Sequence, residues 1–299
     1  MTSSMMDALH RWMEADASGP ELVHDVLIIT LLAAAFPAAR CALDALVFKP
    51  LAMRMLPLPQ QKKGDKDAKL ADKHVKKVEK FVESGWKLSV YSFFTFALVY
   101  ALSNERWLLD SSDMWRGLPS NQRLKFSVKA IYLMELSFYT YCVPALVLWE
   151  IRRKDFGIML THHLVTITLI GMSYIFGYSR VGTAIMLLHD VCDIFLESAK
   201  MFKYSGSELG ANVLFVFFTV SWLVLRLAYF PFFCIHSVMF VATEVIGQPP
   251  EFHMGFIFCL CALQVMHIFW FYMIVKMIVK ALGAGGVQED YRSDDEDED

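Results

Sequence analysis

Seven stretches of this chain approach or exceed the run of about 20 apolar residues that a helix needs to cross a bilayer core: roughly 23–48, 86–102, 125–149, 157–178, 181–203, 210–236 and 254–280. Inside hydrocarbon every backbone N–H and C=O must be satisfied by the structure itself, so runs of this length dictate helices. The second run is short and the fifth is interrupted by charge, so these two stand out least by hydropathy. The chain is 56% hydrophobic, with a mean hydropathy of +0.41, well above a soluble domain. The predicted fold class is therefore an all-α polytopic membrane protein with about seven transmembrane helices.

Charge sets the orientation. Ten Lys/Arg lie between Lys49 and Lys80, the loop 150–156 reads EIRRKDF, and the fifth helix ends in Lys200 and Lys203. The loop 237–253 has no Lys or Arg. By the positive-inside rule the loops 49–85, 150–156 and 204–209 face the cytosol, which leaves the N-terminus in the lumen. The expected organisation is a luminal N-terminus (1–22), a first transmembrane helix (23–48), a basic cytosolic segment (49–85), a six-helix domain (86–280) and an acidic cytosolic tail (281–299). That tail ends QEDYRSDDEDED and reads as a solubilising end. Ser293, followed by six acids, is in addition a candidate regulatory phosphorylation site. Trp107 and Trp115, between the second and third helices, read as a luminal aromatic belt.

The six cysteines fall nearly all in apolar runs without metal-type spacing. Gly-rich phosphate loops, CxxC pairs and GxSxG are absent from the sequence, so nucleotide and serine hydrolases lose support, and no nucleic-acid partner is expected.

Two of the apolar runs are unusual. The fourth contains LTHHLVT, with His162 and His163 adjacent. The fifth reads LHDVCDIFLESAK, in which His189, Asp193 and Glu197 follow an i, i+4, i+8 pattern, Asp190 lies beside them and Lys200 continues the stripe. A charged group in hydrocarbon costs about 2.5–3.5 kcal/mol on insertion scales, so these residues must face a bundle interior or a cavity. Measured from the turn between the two helices, His162 lies about 22 Å down, Asp193 about 16 Å, Glu197 about 22 Å and His189 only about 10 Å. Straight helices would bring His162 level with Asp193 or Glu197, not with His189.

An imidazole beside a carboxylate can act as a general base, or attack a carbonyl and become an acyl-imidazole. Such groups can also be plain interhelical hydrogen bonds, or a metal site. Neither an HxxxH nor an HxxHH box is present in the sequence, which weakens a di-iron hydroxylase reading.

At these residues the sequence resembles the ceramide synthases, within the TRAM-Lag1-CLN8 (TLC) domain proteins. The similarity covers roughly 75–280. Its most specific part is the Lag1 motif from Arg152 to Tyr204, supported by KFVESGWK (Lys80–Lys87), YLMELSFY (Tyr132–Tyr139) and LQVMHIFWFY (Leu263–Tyr272). The homeobox-like insertion of many animal members is missing, and Cys192 stands where a small residue such as Ser is frequent.

The resemblance implies six helices, the second to seventh, forming a TLC-type barrel around a lipid tunnel in the endoplasmic reticulum membrane. It implies N-acylation of a sphingoid base by a fatty acyl-CoA, with acyl-CoA as co-substrate and no resident cofactor or metal. In residue terms, His162 would accept the acyl group and Asp193 would orient it or serve as base. His163, His189 and Asp190 would support them, with Glu197 and Lys200 further along the stripe. Arg152, Arg153 and Lys154 stand where CoA phosphates would arrive. The loop VATEVIGQPPEFHMG, between the last two helices, is tied in the family to acyl-length choice. A homodimer or a small accessory subunit, with membrane lipids around it, completes the expected partners. The alternative is a non-enzymatic TLC-domain protein that binds or moves lipid.

Overall fold

The structure is a computed structural model and describes residues 16–17, 21–56, 65–103, 105, 107–118 and 124–284. Ser293 and the acidic end of the tail lie outside the described residues, as does most of the N-terminal segment. Seven long helices dominate: α1 (Leu22–Met55), α2 (Asp65–Leu102), α3 (Phe126–Leu148), α4 (Phe156–Ile175), α5 (Ser179–Tyr204), α6 (Glu208–Ile246) and α7 (His253–Ala284). Six of them are long and apolar enough to cross a membrane; α5 carries too many charges to qualify by composition. A two-residue antiparallel pairing of Asp16–Ala17 with Leu124–Lys125 is the sole strand contact among the described residues.

Two boundaries differ from the sequence expectation. The first helix runs on to Met55, through a π-helical turn at Asp44–Phe48. Pro50 follows directly and has no N–H to give the preceding turn, which loosens there. The second helix begins at Asp65 instead of 86. At 1.5 Å per residue it is about 57 Å long, far more than a bilayer core needs. Its first half is rich in Lys and free of Pro and Gly, so it continues as a helix outside the apolar run, with an Asp72–Lys76 ion pair at 3.1 Å.

Helices α2 to α7 close a ring in the order α2–α5–α6–α7–α4–α3 and back to α2. The turns 149–155, 176–178, 205–207 and 247–252 are too short for a helix to recross, so α3 to α7 alternate in direction. Helix α1 stays outside the ring and packs on α3. It is fastened near its start and at its middle by buried polar contacts. Asp25 meets Lys129 Nζ at 3.2 Å and accepts the Tyr174 hydroxyl at 2.6 Å, while Arg40 donates to the Tyr141 hydroxyl at 3.2 Å.

The α4–α5 crossing depends on a small residue. A Cβ added at Gly182 would lie 1.8 Å from the Tyr132 hydroxyl. That hydroxyl donates to the Ser179 carbonyl at 3.0 Å and accepts from Ser173 at 3.2 Å. Trp107 and Trp115 do not form a lipid-facing belt. Both are buried, and Trp115 Nε1 donates to Ser237 Oγ at 2.7 Å, because the loop 107–118 folds in over the end of the ring.

Candidate active site

All six ring helices line one interior cavity of about 160 Å³, and α1 contributes nothing to it. His162 and His163 reach it from α4, Asp193, Glu197 and Lys200 from α5, and Arg226 from α6. The level match predicted from helix rise is thus realised as one shared space for His162, Asp193 and Glu197.

His163 is 8% exposed and sits 5.9 Å from the Tyr139 ring. His162 presents its ring to the edge of Trp270, with centroids 5.3 Å apart. Trp270 is itself held by its indole N–H, which donates to Asp155 Oδ2 at 2.9 Å, just ahead of α4. The Nδ1 atoms of both His162 and His163 are buried and have no hydrogen-bond partner among the described residues.

Asp193 was expected to orient His162. Among the described residues no hydrogen bond joins the two; Asp193 Oδ1 instead accepts from Arg226 Nη2 at 3.0 Å. The same nitrogen donates to the His189 carbonyl at 2.9 Å, and the guanidinium lies 4.1 Å over the Trp222 ring. Arg226 was not foreseen, although the signal was there: a lone arginine in WLVLRLAYF is subject to the same insertion cost as the histidines. It sits in a π-helical stretch, Trp222–Ile235, that contains Pro231. A proline there withholds the N–H that the wide i→i−5 register would give to the Arg226 carbonyl.

His189 and Asp190 do not line this cavity. His189 Nδ1 lies 2.6 Å from the Ile185 carbonyl, and its Nε2 is 2.9 Å from Nε2 of His267, a residue not singled out from the sequence. A carbonyl only accepts, so the His189 proton is on Nδ1 and His267 donates to the bare Nε2. Asp190 is fully buried with Oδ2 unpaired. The physical reason is geometric. Four residues advance about 6 Å along a helix and turn it about 40° past a full circle, so the stripe from His189 to Glu197 winds from one space into the next.

At the end of the cavity near the loop 149–155, cations and carboxylates interleave. Lys87 Nζ lies 3.0 Å from Glu83 and 2.7 Å from Glu150, Arg153 Nη2 lies 2.8 Å from Glu83, and Lys200 Nζ lies 2.9 Å from Glu197. Of the expected trio only Arg153 lines the cavity. Arg152 is exposed and stacks over Phe156 at 4.4 Å, and Lys154 is exposed. Among the described residues no group of three or more His, Cys, Asp or Glu is arranged to hold a metal ion.

Residues 80–276 match the TLC domain. The chain is 40% identical over 287 residues to ASC1-like protein 3 of Oryza sativa subsp. japonica, covering 94% of this chain and 98% of that one. It is 41% identical over 266 residues to Ceramide synthase LOH2 of Arabidopsis thaliana, covering 87% and 88%. It is 36% identical over 228 residues to human Ceramide synthase 3, covering 74% of this chain and 57% of that one. Similarity on this scale, through the ring helices and the histidine and aspartate segments alike, means that the chain belongs to the TLC domain family, among the ceramide synthases.

Proposed function

We propose that this protein is a ceramide synthase, an acyltransferase that moves a fatty acyl group from acyl-CoA to the amine of a sphingoid base, with His162 carrying the acyl group between them. The observation that carries the histidine route is the situation of His162: an imidazole whose Nδ1 is buried and, among the described residues, unpartnered, on the wall of a cavity lined by six helices. A ring nitrogen attacks the thioester carbonyl, the C–S bond breaks, and CoA leaves as its thiol after taking up a proton. The amine then attacks the acyl-imidazole, the new C–N bond forms, and the bond to the histidine breaks. Asp193, held by Arg226, is the charged group available to favour a transient imidazolium.

The apolar lining, including Phe215, Phe218, Met159 and Met277, suits a long acyl chain. Arg153, Lys87 and Lys203 suit the CoA phosphates at the opposite polarity. The basic loops then face the cytosol, where acyl-CoA is supplied, with the N-terminus in the lumen of the endoplasmic reticulum and the acidic tail in the cytosol.

The test uses purified protein in lipid nanodiscs, given palmitoyl-CoA without amine and analysed by intact mass and peptide mapping. An acyl mass on the Thr161–Thr166 peptide, discharged as ceramide when sphinganine follows, is the expected result. Ceramide without any adduct would demote His162 to general base. Neither adduct nor ceramide, in protein that still binds lipid, would favour a non-enzymatic lipid-binding role.

A further inference from the structure

A second cavity of about 30 Å³ lies beside the main one, and His162 and Tyr139 border both. Glu135 of α3 lines it. Its side chain is 1% exposed, and neither carboxylate oxygen has a hydrogen-bond partner. Thr166 Oγ1 and His162 Nδ1, from two other lining residues, are also buried and unpartnered. Among the described residues no lysine or arginine lines this cavity. The titratable groups facing Glu135 are Tyr132 and Tyr139 on its own helix, His162 on α4, and His189 and Asp190 on α5; α7 presents only Phe256 and Leu263.

A carboxyl left alone in an apolar bundle keeps its proton, because the bare carboxylate there is strongly unfavourable; once ionised, its oxygens only accept hydrogen bonds. The ligand that lets it ionise must therefore bring N–H or O–H donors, and a positive charge fits best. The space holds about two water-sized groups. Near its reacting carbonyl a fatty acyl thioester has neither donors nor charge. A sphingoid base has both in its ammonium and the adjacent hydroxyl.

We infer that Glu135 binds the ammonium group of the sphingoid base beside His162 and takes its proton. This rests on the ceramide synthase reading above. An alkylammonium with a pKa of about 10 is only about one part in a thousand neutral at pH 7, and only the neutral amine attacks. The entering ammonium displaces the carboxyl proton to solvent, and transfer from ammonium to carboxylate then yields a neutral amine and a neutral acid, removing two buried charges at once. The nitrogen lone pair then attacks the acyl carbon, the bond to His162 breaks, and the second amine proton goes to the departing imidazole. Glu135 is left as the neutral acid in which it began.

The experiment measures ceramide synthesis from palmitoyl-CoA and sphinganine by full-length protein in nanodiscs. In E135Q, kcat/KM for sphinganine at pH 7 should fall about 100-fold or more, with the KM for palmitoyl-CoA little changed. The deficit should shrink as pH rises towards the pKa of the amine, because solution then supplies the neutral form, and E135D should recover part of the rate. An unchanged kcat/KM for sphinganine, or a loss equal at every pH, overturns the inference while wild-type ceramide synthesis keeps the broader reading. A wild type that makes no ceramide removes the broader reading instead.

Should E135Q fail to fold, the wild type alone supplies the second measurement. An infrared difference spectrum on adding sphinganine without acyl-CoA should show the band of a buried carboxylic acid lost or shifted as the carboxyl pairs with the amine. No such change, or the same change with N-acetylsphinganine, which would mean that the cavity merely exchanges water, overturns the inference.

Discussion

Arg226 offers the sharpest separation of stability from chemistry. One of its terminal nitrogens serves both Asp193 and the His189 carbonyl, at 3.0 and 2.9 Å, and its charge is stacked 4.1 Å over Trp222. The substitution R226M keeps the volume and removes the charge, leaving the Asp193 carboxylate without its ion-pair partner. Breaking a buried pair from one side costs about 3–5 kcal/mol, which lowers the folded-to-unfolded ratio between about a hundredfold and a few thousandfold. D193L leaves the guanidinium stranded and should cost a similar amount. Made together, R226M and D193L exchange an ion pair for apolar contact, and the double variant should be more stable than either single one. Denaturant unfolding in detergent, followed by tryptophan fluorescence, reads the cycle, and the ceramide assay is run on the same samples. Stability should return in the double variant and activity should not, because the carboxylate that shares the cavity with His162 is gone. Costs that add to within about 0.5 kcal/mol would show that the pair does not couple, and recovered activity would remove Asp193 from the mechanism.

Two further outcomes follow from packing. G182A should destabilise the protein by about 1–3 kcal/mol, since its methyl would displace the Tyr132 hydroxyl that ties α3 to α5; thermal unfolding of detergent-purified protein measures this, and G182A/Y132F should recover most of the loss. W270F removes the donor to Asp155 and frees the ring that abuts His162, so ceramide formation should drop about tenfold with the KM for sphinganine little altered.

Much of the architecture was legible because hydrocarbon leaves the backbone few choices. The apolar runs mark all seven helices, including α5, whose charges would hide it from hydropathy alone. The start of α2 was not legible, because outside the bilayer the decisive signal is helix propensity in a charged segment, and that is a weak prior. Within the site, helix rise alone matched His162 with Asp193 and Glu197 on the main cavity, but it set His189 apart, and His162 and His189 in fact share the lining of the second cavity. Rise says nothing of a partner on a third helix, which is why Arg226 captures Asp193 unannounced and why His267 appears on His189. The Lys87–Glu150 contact joins residues 63 apart in sequence, and no local pattern encodes it. Glu135 sat in the quoted segment YLMELSFY without drawing notice, since a single glutamate among apolar residues acquires meaning only once its empty surroundings are seen.

The two ends of the site are prepared in opposite ways. At the basic end each cation that faces the cavity already has a carboxylate partner: Glu83 and Glu150 for Lys87, Glu83 for Arg153, Glu197 for Lys200 and Glu208 for Lys203. An anionic co-substrate arriving there exchanges one set of charge pairs for another, so little net affinity is gained and a CoA product can leave. At the reacting end the reverse holds. His162 Nδ1 and both Glu135 oxygens are buried and unpartnered before anything binds. Their desolvation has been incurred during folding, and it is offset only when a group able to donate to them or bond with them comes within reach. Interactions realised at the reacting centre, and not at the point of entry, are the ones that accelerate a chemical step. On this arrangement phosphate recognition sets access, and the energy that favours reaction is reserved for the acyl carbon and the amine.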